Sequence, residues 1–168
     1  TDDSWRFVEN EIFTYLQEIM GAYRKGTSHS IAMDDDALIT TDGKHVDINA
    51  LWHNALMIME EISRGIARRT HNKPENYLAY AGGCSQLAIW VKEAFNSDFW
   101  YEEGGYLYDM IDDDYRNDTL NPNQIFAVSL PFTMLDDQKE KSIIKVLKDR
   151  LDKGDFEAYL LGPFIEGY

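Results

Sequence analysis

Apolar residues recur every three or four positions in several long segments of the chain, which is the spacing of one face of an α-helix. This pattern predicts helices over Asp2–Tyr23, from Ile48 to about Arg69, from about Glu75 to Phe95, and from Asp136 to Leu151. In the second of these, the apolar stripe consists of Leu51, Ala55, Ile58, Met59, Ile62 and Ile66.

The segments between these helices are polar and lack a helical period. Ser28–Lys44 is predicted to be a loop or a short hairpin, and Phe99–Asn121 a loop with a short strand at Tyr106–Tyr108. Pro122–Leu130 is expected to form a short helix, because proline is favoured in a first helical turn, and Leu160–Tyr168 to begin a last one. The chain is therefore predicted to be all-α, with long polar loops between helices.

Composition and charge narrow the class of protein. The chain has 168 residues, 44% of them hydrophobic, and a formal net charge of -14, which indicates one globular domain. An acidic surface repels phosphate groups, so neither a nucleic acid nor a membrane surface is expected as a partner. No apolar run is long enough to span a bilayer and no signal peptide is visible, so we expect a cytoplasmic protein. A single cysteine, Cys84, excludes an internal disulfide.

Common metal and nucleotide motifs are not present in the sequence. The acidic runs Asp34–Asp36 and Asp112–Asp114 invite a calcium interpretation, but Leu38 and Arg116 stand where an EF-hand loop needs an oxygen ligand. The histidines match no zinc pattern, and there is no phosphate-binding loop or nucleophile-elbow motif. These patterns therefore predict no metal site and no nucleotide site.

Three segments combine aromatic rings with carboxylates and amides. They are DDSWRFV at Asp2–Val8, VDINALWHNAL at Val46–Leu56, and the stretch Phe99–Phe132. A sugar presents C–H groups on its faces, against which flat rings stack, and hydroxyls at its rim, which planar polar groups bind. Taken alone, the second segment is explained as well by a helix N-cap and a core tryptophan. Three such segments in one chain favour a carbohydrate site.

Several of these segments resemble motifs of one enzyme family, in the family's own order. VDINALWHNAL is similar to E-I-N-A-L-W-Y-N-A-L, EEGGYLYDMIDDD to E-E-G-G-Y-L-Y-D-V-V-D, and NPNQIFAVSLPF to R-P-N-Q-I-F-A-V-S-L-P. MDDDALI resembles M-D-x-D-G-L-I, LLGPFIEGY resembles L-L-G-P-F-I-E-A-Y, and Asp2–Val8 more loosely resembles R-D-A-V-W-W-F-L. These are motifs of the amylo-α-1,6-glucosidase domain of glycogen debranching enzymes.

The resemblance implies a fold and a reaction. The fold would be an (α/α)6 barrel, a ring of helical hairpins with the substrate at one mouth. The reaction would be hydrolysis of an α-1,6-linked glucose at a branch point of glycogen or a limit dextrin, with inversion. Such a reaction uses one carboxylic acid and one carboxylate roughly 6.5–9.5 Å apart. Because this acid–base chemistry needs neither a metal nor an organic cofactor, the resemblance implies none. The expected partner is a branched α-glucan or oligosaccharide, and nothing in the sequence indicates an oligomeric state.

The motifs and the ring-and-amide pattern together select the candidate sugar-binding residues. They are Asp2, Trp5, Asp47, Asn49, Trp52, Asn54, Glu103, Tyr106, Tyr108, Asp109, Asn123 and Gln124. We assign no general acid or base, because two family motifs are missing. T-W-M-D-A is absent between Ile39 and Val46, and Y-H-Q-G-T-V-W-P-W is absent before Leu160.

The chain is shorter than a complete barrel of twelve helices would require. Twelve helices of about 11–12 residues joined by loops of about 4–6 need roughly 190 residues. We therefore interpret residues 1–168 as a single barrel domain that lacks segments near 40–42 and 151–159. The rival interpretations are a naturally shortened, catalytically inactive relative that binds glycans, and a purely structural helical scaffold.

Overall fold

The computed structural model describes residues 11, 13–25, 32–33 and 37–153. The helices among them are α1 (Phe13–Lys25), α2 (Val46–Ala67), α3 (Pro74–Asp98), α4 (Phe126–Ser129) and α5 (Asp137–Asp152), with a 3₁₀ turn at Pro122–Ile125. The strands are β1 (Ala32–Met33), β2 (Ile39–Thr40), β3 (Lys44–His45), β4 (Trp100–Tyr101), β5 (Tyr106–Leu107), β6 (Met110–Asp112) and β7 (Tyr115–Asn117). None of the helices in these ranges is long and apolar enough to cross a membrane.

Helices α2 and α3 form a helical hairpin at the centre of the described structure, with the most extensive packing between any two elements. Pro74 opens α3, where its missing N–H would have no helical partner anyway. The preceding residue, Lys73, has a left-handed backbone with φ of 49°, which turns the chain between the helices. The large side chains Leu56, Met59 and Phe95 are almost fully buried in this core.

The α2 stripe predicted from the sequence is only partly correct. Met59 and Ile66 are buried, but Leu51 and Ile58 are 44% and 42% exposed. These two side chains instead line an open apolar cleft of about 330 Å³ between α2 and α1, together with Ile19. Periodicity identifies an apolar face, but it does not show how completely a neighbouring helix covers that face.

The prediction of a mostly helical chain is confirmed, but the expectation of an all-α chain needs correction, because the short strands form three small antiparallel sheets. β1 pairs with β2, β4 with β5, and β3 and β7 flank β6. Most of the segment expected to be a loop, Phe99–Asn121, thus forms two successive hairpins. Aromatic residues, which favour strands, flank the Gly104–Gly105 turn there, and Gly105 has a φ of 70° that suits glycine.

Two buried asparagines of α2 hold neighbouring segments through paired hydrogen bonds. Asn49 accepts from the Ile39 backbone N–H at 2.7 Å and donates to the Ile39 carbonyl at 3.0 Å. Asn54 accepts from the Phe132 backbone N–H and donates to the Phe132 carbonyl, each at 3.0 Å. Each amide therefore satisfies the backbone N–H and carbonyl of one residue in a neighbouring segment.

The start of α5 follows the prediction closely. Asp136 is the N-cap, and its carboxylate accepts hydrogen bonds from the backbone N–H groups of Gln138 and Lys139, both at 2.9 Å. The predicted helix over Leu160–Tyr168 and the first part of the helix predicted over Asp2–Tyr23 lie outside the described residues. The ring of helical hairpins and the division of the chain into one barrel domain remain predictions.

Replacing Asn49 with alanine is expected to lower the free energy of unfolding by about 2–4 kcal/mol, because the buried Ile39 backbone would lose both of its side-chain partners. Urea denaturation followed by circular dichroism measures this change. The matched control is Asn72→Ala, at an exposed loop position, which should change stability by less than about 0.5 kcal/mol. Equal effects of the two substitutions would contradict the conclusion that the hydrogen bonds of Asn49 to Ile39 stabilise the fold.

Candidate functional site

The first turn of α2 contributes one accessible carboxylate to a polar cluster. Asp47 is half-buried, and its Oδ2 accepts a hydrogen bond of 3.3 Å from the side-chain amide of Asn123. Its other oxygen accepts from the backbone N–H of Ile48 at 2.9 Å. The first turn of a helix favours a hydrogen-bond acceptor, and the Asp47 carboxyl group provides one there.

Asp109 provides a second carboxyl group beside the first. Its backbone carbonyl accepts from Val46 N–H at 3.0 Å, and this bond joins the aromatic segment to the start of α2. Partial burial raises the pKa of the Asp109 carboxyl, and the negative charge of Asp47 raises it further. A hydrogen bond from Asn121 and the proximity of His45 act in the opposite direction on this pKa. Asp109 therefore retains its proton to a higher pH than an ordinary aspartate.

The 3₁₀ turn positions the amides of this cluster. Asn121 caps the turn, since its Oδ1 accepts from the backbone N–H of Asn123 at 3.1 Å. Gln124 is only 1% exposed, and its amide accepts from Leu107 N–H and donates to the Asn121 carbonyl, both at 3.1 Å. Asn121 and Asn123 thus each hold one of the two carboxyl groups, while Gln124 ties the turn to β5. We call Asp47, Asp109, Asn121 and Asn123 the carboxylate–amide cluster.

A group of tyrosines lies next to this cluster along the chain. The rings of Tyr101 and Tyr108 are stacked, with centroids 5.0 Å apart and planes at 25°, and Tyr106 meets Tyr101 edge-on at 5.3 Å. We call these three residues the tyrosine platform. Tyr108 directly precedes Asp109, so the platform and the carboxylate–amide cluster are joined along the chain. Glu103, in the turn between β4 and β5, is exposed.

The remaining predicted residues of α2 point their polar groups at the backbone. Asn49 and Asn54 hold Ile39 and Phe132, as described above, and Trp52 donates from Nε1 to the Ala37 carbonyl at 3.2 Å. Trp52 is 5% exposed and contributes to the apolar cleft rather than to the carboxylate–amide cluster. Direct contact of these three side chains with a sugar stays a prediction.

Two further predicted residues, Asp2 and Trp5, lie outside the described residues. Of the others, the structure brings together Asp47, Asp109 and Asn123, and it groups Tyr106 and Tyr108 with Tyr101. Gln124 fixes the backbone beneath them.

The residues predicted from the sequence did not include Tyr101 and Asn121. The structure places Tyr101 in the tyrosine platform and Asn121 in the carboxylate–amide cluster. Asn121 had a recognisable signal, because an asparagine before a proline that opens a turn is a favoured N-cap. Tyr101 had none until the hairpin was known, because only the pairing of β4 with β5 places it opposite Tyr106. Within the described ranges, no three His, Cys, Asp or Glu side chains are grouped as a metal site requires.

Comparison with known proteins gives one finding. The sequence model of the family described as amylo-alpha-1,6-glucosidase matches residues 40–154, a range that contains the carboxylate–amide cluster and the tyrosine platform. No curated protein and no solved structure matches the chain. Since the matched range covers more than half of the 168 residues, the chain belongs to the amylo-alpha-1,6-glucosidase family.

Proposed function

We propose that this protein is a glycoside hydrolase that releases α-1,6-linked glucose at branch points of glycogen or a limit dextrin, with inversion at the anomeric carbon. The observation that carries the proposal is the convergence of Asp47 and Asp109 with two asparagine amides, inside the region matched to the family. The stacked tyrosines of the same region supply flat rings. Planar hydrogen-bonding groups at a ring-lined surface are what a pyranose requires.

The two carboxyl groups have different surroundings, which suits them to different sugar contacts. Asp47, at a helix start, accepts hydrogen bonds from sugar hydroxyls. Asp109, whose pKa is raised by partial burial, carries a proton over a wider pH range and then donates to a sugar oxygen. The side-chain amide of Asn123 is bonded to Asp47, and it both donates hydrogen bonds to sugar oxygens and accepts them from sugar hydroxyls. We assign substrate binding, and not the proton-transfer steps, to these residues.

The substrate we propose is a neutral branched α-glucan. The formal charge of -14 and the paired carboxyl groups disfavour anionic ligands such as phosphorylated sugars. Glu103 is exposed beside the platform and offers a further acceptor for hydroxyls. A cytoplasmic location remains a prediction from the sequence.

A second candidate function is glycan binding without hydrolysis. It is favoured by one observation, the absence of T-W-M-D-A and of Y-H-Q-G-T-V-W-P-W from the sequence. The carboxylate–amide cluster and the tyrosine platform would then hold a glucan that the protein does not cleave.

Incubation of the protein with a branched limit dextrin is expected to release glucose, while linear α-1,4-linked maltooligosaccharides should release none. Because the proposed reaction inverts the configuration, proton NMR at early times should show the β-anomer first. Asp47→Asn should weaken dextrin binding, since it removes the charged acceptor and keeps the side chain's shape. Asp113→Asn, at an exposed turn position, is the matched control.

Three outcomes separate the two candidate functions. Glucose release from the branched substrate alone supports the hydrolase. Dextrin binding in calorimetry without any release of glucose supports the glycan-binding protein instead. If neither binding nor release is observed, both proposals fail.

Asp109→Asn is expected to stabilise the fold relative to the unsubstituted protein at neutral pH, with the difference shrinking as the pH falls toward 3. The reason is that a raised carboxyl pKa makes ionisation costlier in the folded state, and this cost is absent once the group is protonated in both states. Urea unfolding between about pH 3 and pH 7 measures the trend.

Asp136→Asn provides a control with the opposite sign. Hydrogen bonds from the Lys139 and Gln138 backbone N–H groups hold the pKa of the Asp136 carboxyl below its usual value. Asparagine keeps the cap but loses the charge, so this variant should be less stable than the unsubstituted protein at neutral pH and approach it in acid. Parallel pH trends in the two variants would contradict the raised pKa of Asp109.

A further inference from the structure

A groove between α2, α3 and the segment that follows α4 contains no residue of the carboxylate–amide cluster or of the tyrosine platform. Its volume is about 440 Å³, which is within the range of small-molecule sites. None of the nine described residues that line the groove is acidic, although the chain contains 30 Asp and Glu residues. The lining residues include His53, Met57, Ser85, Ile89, Lys92 and Phe132.

The wall contributed by the segment after α4 is held by amides from both helices. Asn54 of α2 pairs with the backbone N–H and the carbonyl of Phe132. Asn96 of α3 donates to the Met134 carbonyl at 2.9 Å. The wall is therefore positioned before any ligand arrives, which lowers the entropic cost of binding.

His53 is the buried polar group of this groove. It is 4% exposed, and its Nδ1 lies 3.2 Å from the Phe132 carbonyl. Because a carbonyl only accepts hydrogen bonds, Nδ1 carries the proton of the neutral ring and Nε2 has a lone pair. Among the described residues, nothing is hydrogen-bonded to Nε2, and no fully buried side-chain nitrogen lacks a partner. Nε2 is therefore accessible, and the groove is the open space that His53 lines.

The surroundings of His53 keep its ring neutral in the free protein. Burial lowers the pKa of the ring, and the hydrogen bond to the Phe132 carbonyl offsets only part of this effect. The positive charge of Lys92 on α3 lowers the pKa further, and it is the only charged side chain among the described residues that acts on this pKa. At neutral pH, Nε2 thus accepts a hydrogen bond rather than donating one.

Lys92 supplies a positive charge at the edge of the groove. Its side chain is exposed, and none of the ion pairs within the described ranges includes it. A lysine beside an accessible imidazole, with no carboxylate in the lining, makes a locally positive region in a chain of formal charge -14. Met57, Ile89 and Phe132 provide apolar surface in the same groove.

We propose that this groove binds a small carboxylate with a short apolar tail. The carboxyl group lies between His53 and Lys92, and the tail packs against Met57, Ile89 and Phe132. One proton is shared between His53 Nε2 and a carboxyl oxygen. Since neither the neutral ring nor the free carboxylate carries this proton, it is taken up from solution on binding. A phosphate dianion would need more donors than one histidine and one lysine provide.

Calorimetric titrations of the full protein with hexanoate and with hexanamide test the proposal. Hexanamide has the same tail and a similar size but no charge, so hexanoate should bind about tenfold more tightly. About one proton should be taken up per hexanoate at pH 7, as measured in two buffers of different ionisation enthalpy. The affinity for hexanoate should fall by about tenfold per unit of pH above 7, because the bound state retains one proton more than the free partners.

Two variants separate the contributions of the charged groups. His53→Asn keeps a side-chain N–H for the Phe132 carbonyl and removes Nε2, so proton uptake should vanish and hexanoate should bind about tenfold more weakly. Lys92→Met keeps the apolar stem and should weaken hexanoate by about fivefold, as for a solvated ion pair, without affecting hexanamide. Lys145→Met, at an exposed position of α5 outside the groove, is the matched control.

A measurement on the unsubstituted protein guards against misfolding of His53→Asn. Hexanoate should shift the NMR signals of the His53 ring, whereas hexanamide should shift them less. Equal affinities for hexanoate and hexanamide, hexanoate binding without proton uptake, or no hexanoate binding at millimolar concentrations would overturn the proposal. Tighter binding of inorganic phosphate, or equal losses in Lys92→Met and Lys145→Met, would overturn it too. None of these results depends on the release of glucose, so the carboxylate site stands or falls separately from the proposed hydrolase.

Discussion

The paired hydrogen bonds between Asn49 and the backbone of Ile39 are the constraint on which the described structure depends. Asn49 is fully buried, and it also donates to the His45 carbonyl at 2.8 Å. One amide thus holds β2 and the last residue before α2 in a fixed relation, in addition to the pairing of β2 with β1. Since Val46 in turn donates to the Asp109 carbonyl, the aromatic hairpins take their position from the same helix start.

This arrangement explains why carboxyl groups distant in sequence share one surface. Asp47 belongs to the first turn of α2, Asp109 follows β5, and the amide of Asn123 comes from the 3₁₀ turn. The helix dipole favours the charge of Asp47, whereas partial burial and that same charge disfavour ionisation of Asp109. Two chemically similar groups therefore have different electrostatic surroundings, and the proposed sugar site uses this difference.

The accuracy of sequence reasoning differed between elements for identifiable reasons. The helices α2, α3 and α5 were located within a few residues, because each carries an apolar period and a start signal such as Pro74 or Asp136. The strands around Tyr106 were mostly missed, since two- and three-residue strands are too short to show alternation. Asn54 remains a predicted site residue, and no local pattern indicated that its amide bonds Phe132, 78 positions away.

The sequence by itself determined the mostly helical class, the starts of the helices and the family, because local spacing and motif order are properties of the chain alone. Only the tertiary structure decided which polar side chains meet a ligand-accessible surface and which hold the backbone. Asn49 and Asn123 have the same side chain, but one is sealed in the core and the other is exposed beside Asp47. The physical reason is that burial and hydrogen-bond partners arise from contacts between segments far apart in sequence, which no local pattern encodes.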